Sequence, residues 1–198
     1  MRVHVVTHPE VRVDPGVPVP EWGLSDAGRA RLAHLLALPW VPLLTRVVSS
    51  AERKARETAA ALAGATGLPV TVDPDLGEND RSATGFLPPA EFEATAEAFF
   101  ARPTESVRGW ERAVDAQARV VAAVARAVTG AGGDVAVVCH GGVGTLLLCS
   151  VLGVPVDRRR DQPGQGSVFS YDPATGAGAG PWVRLGGGGG SAVATVSR

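Results

Sequence analysis

Two histidines, one glutamate and a short cationic run are the side chains here whose types and spacing could do chemistry. His8 follows the apolar run Val3–Val6 and precedes Pro9. His140 ends a second apolar run and is followed by Gly141 and Gly142. Glu78 lies in the loop "DLGEND", and Ser49 and Ser50 lead into "AERKAR", which carries Arg53, Lys54 and Arg56. A neutral imidazole can attack phosphorus and hold the phosphoryl group covalently. Cations and backbone N–H groups at a glycine-started helix favour an anion. A carboxylic acid can protonate a leaving oxygen and later activate water. Taken singly, each residue has a plain structural reading: a loop histidine, a solvated helix face, a surface glutamate. It is their joint placement that points to phosphate chemistry.

That placement depends on the elements around them. Val3–Val6, "TRVVSS", "LPVTVD" and "GDVAVVCH" are short, β-branched runs and read as buried strands. Between them lie helical stretches. One is capped by Ser25 and ended by Pro39, another is closed by Gly67, and a third region spans roughly 89–130 with a break near "RPTES". "GGVGTLLLCSVLG" is a further helix, and "GSVFSYD" with "PWVRL" reads as two edge strands around a turn. Strands alternating with helices imply an α/β fold, a mainly parallel central sheet covered on both faces. In such sheets sites form at the carboxyl ends of strands, which is where His8, Ser49, Ser50, Glu78 and His140 fall. Residues 9–23 hold four prolines and no helical period, so they form a loop of the length usually kept for function.

The totals exclude several classes. With 198 residues the chain can bury one sizeable core, and a formal net charge of -1 gives no reason to expect nucleic acid or a polybasic membrane contact. No segment is long enough to span a bilayer, and no signal-peptide core follows Met1. Cys139 and Cys149 are too few for a zinc ribbon or a disulfide framework; they read as buried free thiols, which suits a cytoplasmic location.

Over Met1 to about Leu185 the chain resembles the histidine phosphatase superfamily, the phosphoglycerate mutase-like enzymes. The resemblance rests on five ordered segments: Thr7-His8-Pro9 where relatives have Arg-His-Gly, "LSDAG" from Leu24 to Gly28, "SSAERKARETA" from Ser49 to Ala59, Glu78, and Cys139-His140-Gly141-Gly142. It implies a three-layer α/β/α sandwich without a metal or organic cofactor. His8 would be the nucleophile, Glu78 the general acid and base, and His140 a phosphoryl ligand. The same resemblance puts Thr7 and Lys54 where relatives carry phosphate-binding arginines. Threonine offers a neutral donor and lysine lacks the bidentate fork, while charge-assisted bonds are roughly twice as strong as neutral ones. Arg53 and Arg81 are the candidates to supply the missing charge, with Gly141 facing the anion, although neighbouring helix positions such as 53 and 54 point about 100° apart.

The expected domain therefore spans 1–185, with a flexible Gly-rich tail over 186–198. The expected function is a phosphohydrolase acting on a small phosphorylated metabolite through phosphohistidine. The alternative is a protein that keeps the fold as a binding module or a non-phosphatase enzyme; a phosphomutase ranks below both, since no long insertion closes the pocket from water. Trp22, Phe86 and Phe92 could contact an apolar part of a substrate at the entrance or equally pack in the core or a lid, Arg158–Arg160 reads as a solvated run, and an exposed "VFSYD" edge could pair in a homodimer.

Overall fold

In the computed structural model, residues 1–186 are described. Apart from Gly186, the expected tail lies outside the described residues. Six strands form one mixed sheet: β1 (Val3–Thr7), β2 (Leu44–Ser49), β3 (Val70–Val72), β4 (Asp134–Cys139), β5 (Ser167–Tyr171) and β6 (Val183–Arg184). Their order is β3-β2-β4-β1-β5-β6. The first four strands in this order run parallel, and β5 and β6 join antiparallel. The expected α/β architecture with a mainly parallel sheet is present.

Five helices cover the sheet: α1 (Asp26–Leu36), α2 (Arg53–Thr66), α3 (Pro89–Ala101), α4 (Ala113–Val128) and α5 (Gly141–Val151). Strand residues alternate between the two faces, as the pleat requires. Val6, Val47, Ala136, Val138 and Val168 pack with Leu35 of α1 and Ala55, Ala59 and Leu62 of α2. Val3, Val5, Val135 and Val137 pack on the other face with Phe99 of α3, Val120 and Val124 of α4, and Leu146 and Leu147 of α5. The result is a three-layer α/β/α arrangement. No helix among the described residues is long and apolar enough to cross a membrane.

Several local signals act as expected. The Ser25 side chain accepts a hydrogen bond from the Gly28 N–H and caps α1. Gly67 ends α2 at φ 73°, a left-handed conformation that glycine adopts without a Cβ penalty. The helical region breaks between α3 and α4, at residues 102–112.

The C-terminal strands differ from expectation. Only β6 is an edge. β5 lies between β1 and β6, with Val168 paired on both sides. Val168, Phe169 and Tyr171 are buried, and the Phe169 ring meets Trp182 edge-on at 4.6 Å. Burial of these side chains drew β5 into the sheet, so the "VFSYD" segment does not present the open edge on which a homodimer was expected.

The long loop after β1 is tied to α1. The Ser25 N–H donates to the Glu10 carbonyl at 2.9 Å, and the Ser25 hydroxyl donates to the Glu10 carboxylate at 2.8 Å. A Cβ on Gly28 would run into that same carbonyl. Overpacking of this kind costs about 1–3 kcal/mol. Gly28→Ala is expected to lose stability in that range, read as a lower urea midpoint at unchanged m-value, because Glu10 cannot retreat without moving β1's end.

Candidate functional site

The site begins with a strand pairing. β1 and β4 are parallel neighbours, with Thr7 opposite Cys139. His8 and His140 follow these two residues, and the His8 N–H donates to the Cys139 carbonyl at 3.3 Å. The two rings lie edge to face, their centroids 5.2 Å apart. Both side chains are buried. His8 Nδ1 is 2.8 Å from the Pro9 carbonyl, which can only accept, so Nδ1 carries the proton and Nε2 holds a free lone pair. His140 Nε2 lies 2.8 Å from Ser50 Oγ and 3.3 Å from Glu52 Oε1, while its Nδ1 has no hydrogen-bond partner within the protein.

Glu78 reaches the pair from the loop after β3. Its carboxylate accepts from the N–H groups of Gly142 and Val143, each at 3.1 Å, at the start of α5. It also accepts from the Asn79 N–H and pairs with Arg81 at 3.2 Å. The helix-start donors expected to bind a substrate anion are therefore engaged by Glu78. They belong to the residues one and two past Gly141, the glycine expected to face that anion. A Cβ on Gly141 would strike the Gln162 amide, and one on Gly142 would lie 2.6 Å from Glu78 Oε1.

Arg119 of α4 holds the Glu78 loop from beneath. Its guanidinium donates to the carbonyls of Asp75, Gly77 and Glu78 at 2.7, 2.8 and 2.9 Å and pairs with Glu111. Arg81 lies 4.9 Å from the ring centroids of both Phe92 and Trp110 and donates to Asn79 Oδ1. Phe92 thus braces a cation here and does not stand free at an entrance. Trp22 is buried, bonded through its indole N–H to the Asp14 and Val17 carbonyls, with the more exposed Phe86 ring 5.8 Å away.

The other expected anion ligands are placed differently. Thr7 is fully buried, donating to Gln162 Oε1 at 2.5 Å and accepting from the Ser167 N–H at 2.9 Å. Both roles of its hydroxyl are taken by protein, on the β5 side. Arg53 points outward and pairs with Glu57 at 2.9 Å. The angular offset between successive helix positions explains why it does not accompany Lys54 inward. Lys54 does turn in. Its ammonium pairs with the Glu52 carboxylate and donates to the Val19 carbonyl at 2.9 Å. Arg158 pairs with Glu93 and Glu97, and Arg159 with Asp157, so these members of the arginine run are bound at the surface.

Glu52 is the site residue that sequence reasoning passed over. It occupies the N-cap position of α2 yet makes no capping bond. Its side chain instead meets Lys54, His140 and the Glu78 N–H, the last at 2.9 Å. Glutamate is not a favoured N-cap, and that mismatch was the available signal. Nothing local marks Gln162, which reaches Thr7 across 155 residues.

The charge states follow from these contacts. Burial, and then the neighbouring His140, push His8 down to about 3. Burial also lowers His140 despite the pull of Glu52 and Glu78. Glu78 is brought down to about 2; burial opposes this, and Arg81, His140 and the backbone donors outweigh it. Glu52 is lowered against its burial by His140 and Lys54. The resting site thus holds two neutral imidazoles and two carboxylates. Such a set can offer a nucleophilic nitrogen beside a carboxylate base. Among the described residues no group of three or more His, Cys, Asp or Glu side chains is arranged to hold a metal ion.

A family model described as histidine phosphatase superfamily (branch 1) matches residues 17–177. The chain belongs to that superfamily. The match begins downstream of Thr7-His8-Pro9. Among solved structures, the chain is similar to mycobacterial hydrolase 1, with 27% identity, 93% of this chain and 98% of that one covered, and a TM-score of 0.73. It is similar to a mycobacterial glucosyl-3-phosphoglycerate phosphatase in its native form, with 28% identity, 86% and 89% covered, and a TM-score of 0.72. The alpha-ribazole phosphatase of Shigella flexneri shares the fold at 20% identity, with 87% and 90% covered and a TM-score of 0.66. No curated protein matches the chain.

These charge states set the response to acid. The unfolded chain takes up protons at its histidines below about 6.5, where folded His8 and His140 stay neutral. Stability therefore falls as pH drops from 6.5 toward the depressed value of about 3 at His8. It falls again between 4.5 and about 2, where Glu78 must be protonated. Urea midpoints measured from neutral to acid pH should decline steadily, and His8→Gln should flatten the upper part of the curve. A midpoint that holds constant through that upper range would contradict the neutral histidines.

Proposed function

We propose that the protein is a phosphohydrolase that removes a phosphoryl group from a small phosphorylated metabolite through a phosphohistidine on His8. The observation that carries this reading is the fixed tautomer of His8. Its Nδ1–H is spent on the Pro9 carbonyl, so the Nε2 lone pair is the free one, with His140 beside the ring. The phosphatase relative at 28% identity supports the same reading.

In the first step the Nε2 lone pair forms an N–P bond, the P–O bond to the leaving group breaks, and the leaving oxygen takes a proton that Glu78 relays from the substrate or the solvent. In the second, the Glu78 carboxylate takes a proton from water, the water oxygen bonds to phosphorus, and the N–P bond breaks. That proton departs with the phosphate, and His8 returns to its neutral form. His140 and Arg81 are the groups that would steady the equatorial oxygens. Lys54 would join them once freed from Glu52. Residues 1–185 form one such domain in this reading, and the two buried free thiols suit a cytoplasmic setting.

A second reading, a retained fold with changed chemistry, draws support from the engagement of Thr7 and Lys54 by protein groups. A panel of phosphorylated metabolites separates the two. The wild type is expected to turn over at least one, His8→Ala to fall to background, and Glu78→Gln to lose roughly 10²–10⁴-fold. EDTA should leave the rate unchanged. Turnover that survives in a folded His8→Ala protein would end the phosphohistidine mechanism, and silence of the wild type across the panel would favour the second reading.

A further inference from the structure

The charges around the histidine pair sum to zero. Lys54 and Arg81 supply two cations, and Glu52 and Glu78 supply two carboxylates. Glu52 stands between the groups that would grip a phosphoryl oxygen. One of its oxygens meets the Lys54 ammonium, and the other lies 3.3 Å from His140 Nε2. It is 14% exposed, so solvent screens this negative charge weakly. Bringing a phosphate dianion into such a site adds two charges with no free counter-charge, and uncompensated charge in a buried setting is costly.

Two further observations point the same way. The carboxylate that would protonate the leaving oxygen, Glu78, is already ionised under its four donors. The free site therefore holds no proton on it to give. His140 is the second. Its Nε2 lies 3.3 Å from Glu52 Oε1, which sets a negative charge against the ring that would meet a phosphoryl oxygen.

Resting on the phosphatase reading, we propose that Glu52 makes this site selective for the monoanion of a phosphate monoester, the form that carries one charge and one proton. The substrate then brings the proton that departs with its own alcohol, passed through Glu78: the P–O–H bond is given up, the leaving oxygen gains the hydrogen, and the N–P bond forms as the P–O bond breaks. Glu52 acts through Lys54 and His140, so it is a specificity-determining and positioning residue rather than a nucleophile or proton donor.

Tungstate and perrhenate test this without turnover, because they are tetrahedral oxyanions of similar size carrying two charges and one. Calorimetric titration at mildly alkaline pH is done on the wild type and on Glu52→Gln. The wild type is expected to bind perrhenate at least as tightly as tungstate. Glu52→Gln is expected to tighten tungstate relative to perrhenate by about tenfold or more, the worth of one charge-assisted contact. An affinity ratio that stays within about twofold of wild type overturns the proposal, as does failure of either anion to bind either protein. If Glu52→Gln proves unfolded by circular dichroism, the wild type decides: tungstate preferred by more than about tenfold overturns it, and perrhenate preferred or equal upholds it. Nitrophenyl phosphate hydrolysis by wild type against His8→Ala is scored separately. Its absence counts against the phosphatase reading, whereas the anion ratios count for or against Glu52.

Discussion

The parallel pairing of β1 with β4 is the constraint from which the site follows. It makes Thr7 and Cys139 partners and so forces the next residue of each strand into contact. Two imidazoles become neighbours through backbone register, with no side-chain recognition required. Once they are neighbours and buried, neither is easily protonated, and each neutral ring must find its own hydrogen-bond arrangement. His8 finds it in the carbonyl of the following proline. His140 finds half of it in Ser50 and Glu52, which β2 delivers because the Ser50 N–H bonds to Val138 of β4.

The third component is held by a longer lever. Glu78 sits on a loop that would have no reason to stay over the strand ends by itself. Arg119 reaches up from α4 to three successive stations of that loop, and the start of α5 receives the carboxylate. A helix N-terminus is a natural anion site, and here a side chain of the protein occupies it. The carboxylate is strongly ionised for the same reason that it is well positioned, so position and charge state cannot be varied independently.

Much of this was legible in the sequence. Apolar runs ended by His8, Ser50 and His140 marked strand ends, and Gly67 and Ser25 acted as helix signals through backbone geometry that depends only on near neighbours. The inward turn of Lys54 and the outward turn of Arg53 follow from helical spacing. What could not be read depends on distant partners. The place of β5 beside β1 follows from long-range register, and the contact of Thr7 with Gln162 spans 155 residues. Glu52 is a poor N-cap, which marked it as unusual, but its direction is set by Lys54 and His140 together.

Lys54 also fastens the Pro-rich loop, through its hydrogen bond to the Val19 carbonyl. An ammonium group has three donors, and here at least two are assigned within the protein. One buried ammonium thus ties the start of α2 to the Pro-rich loop, and the order of that loop and the charge balance beside His140 hang on the same side chain.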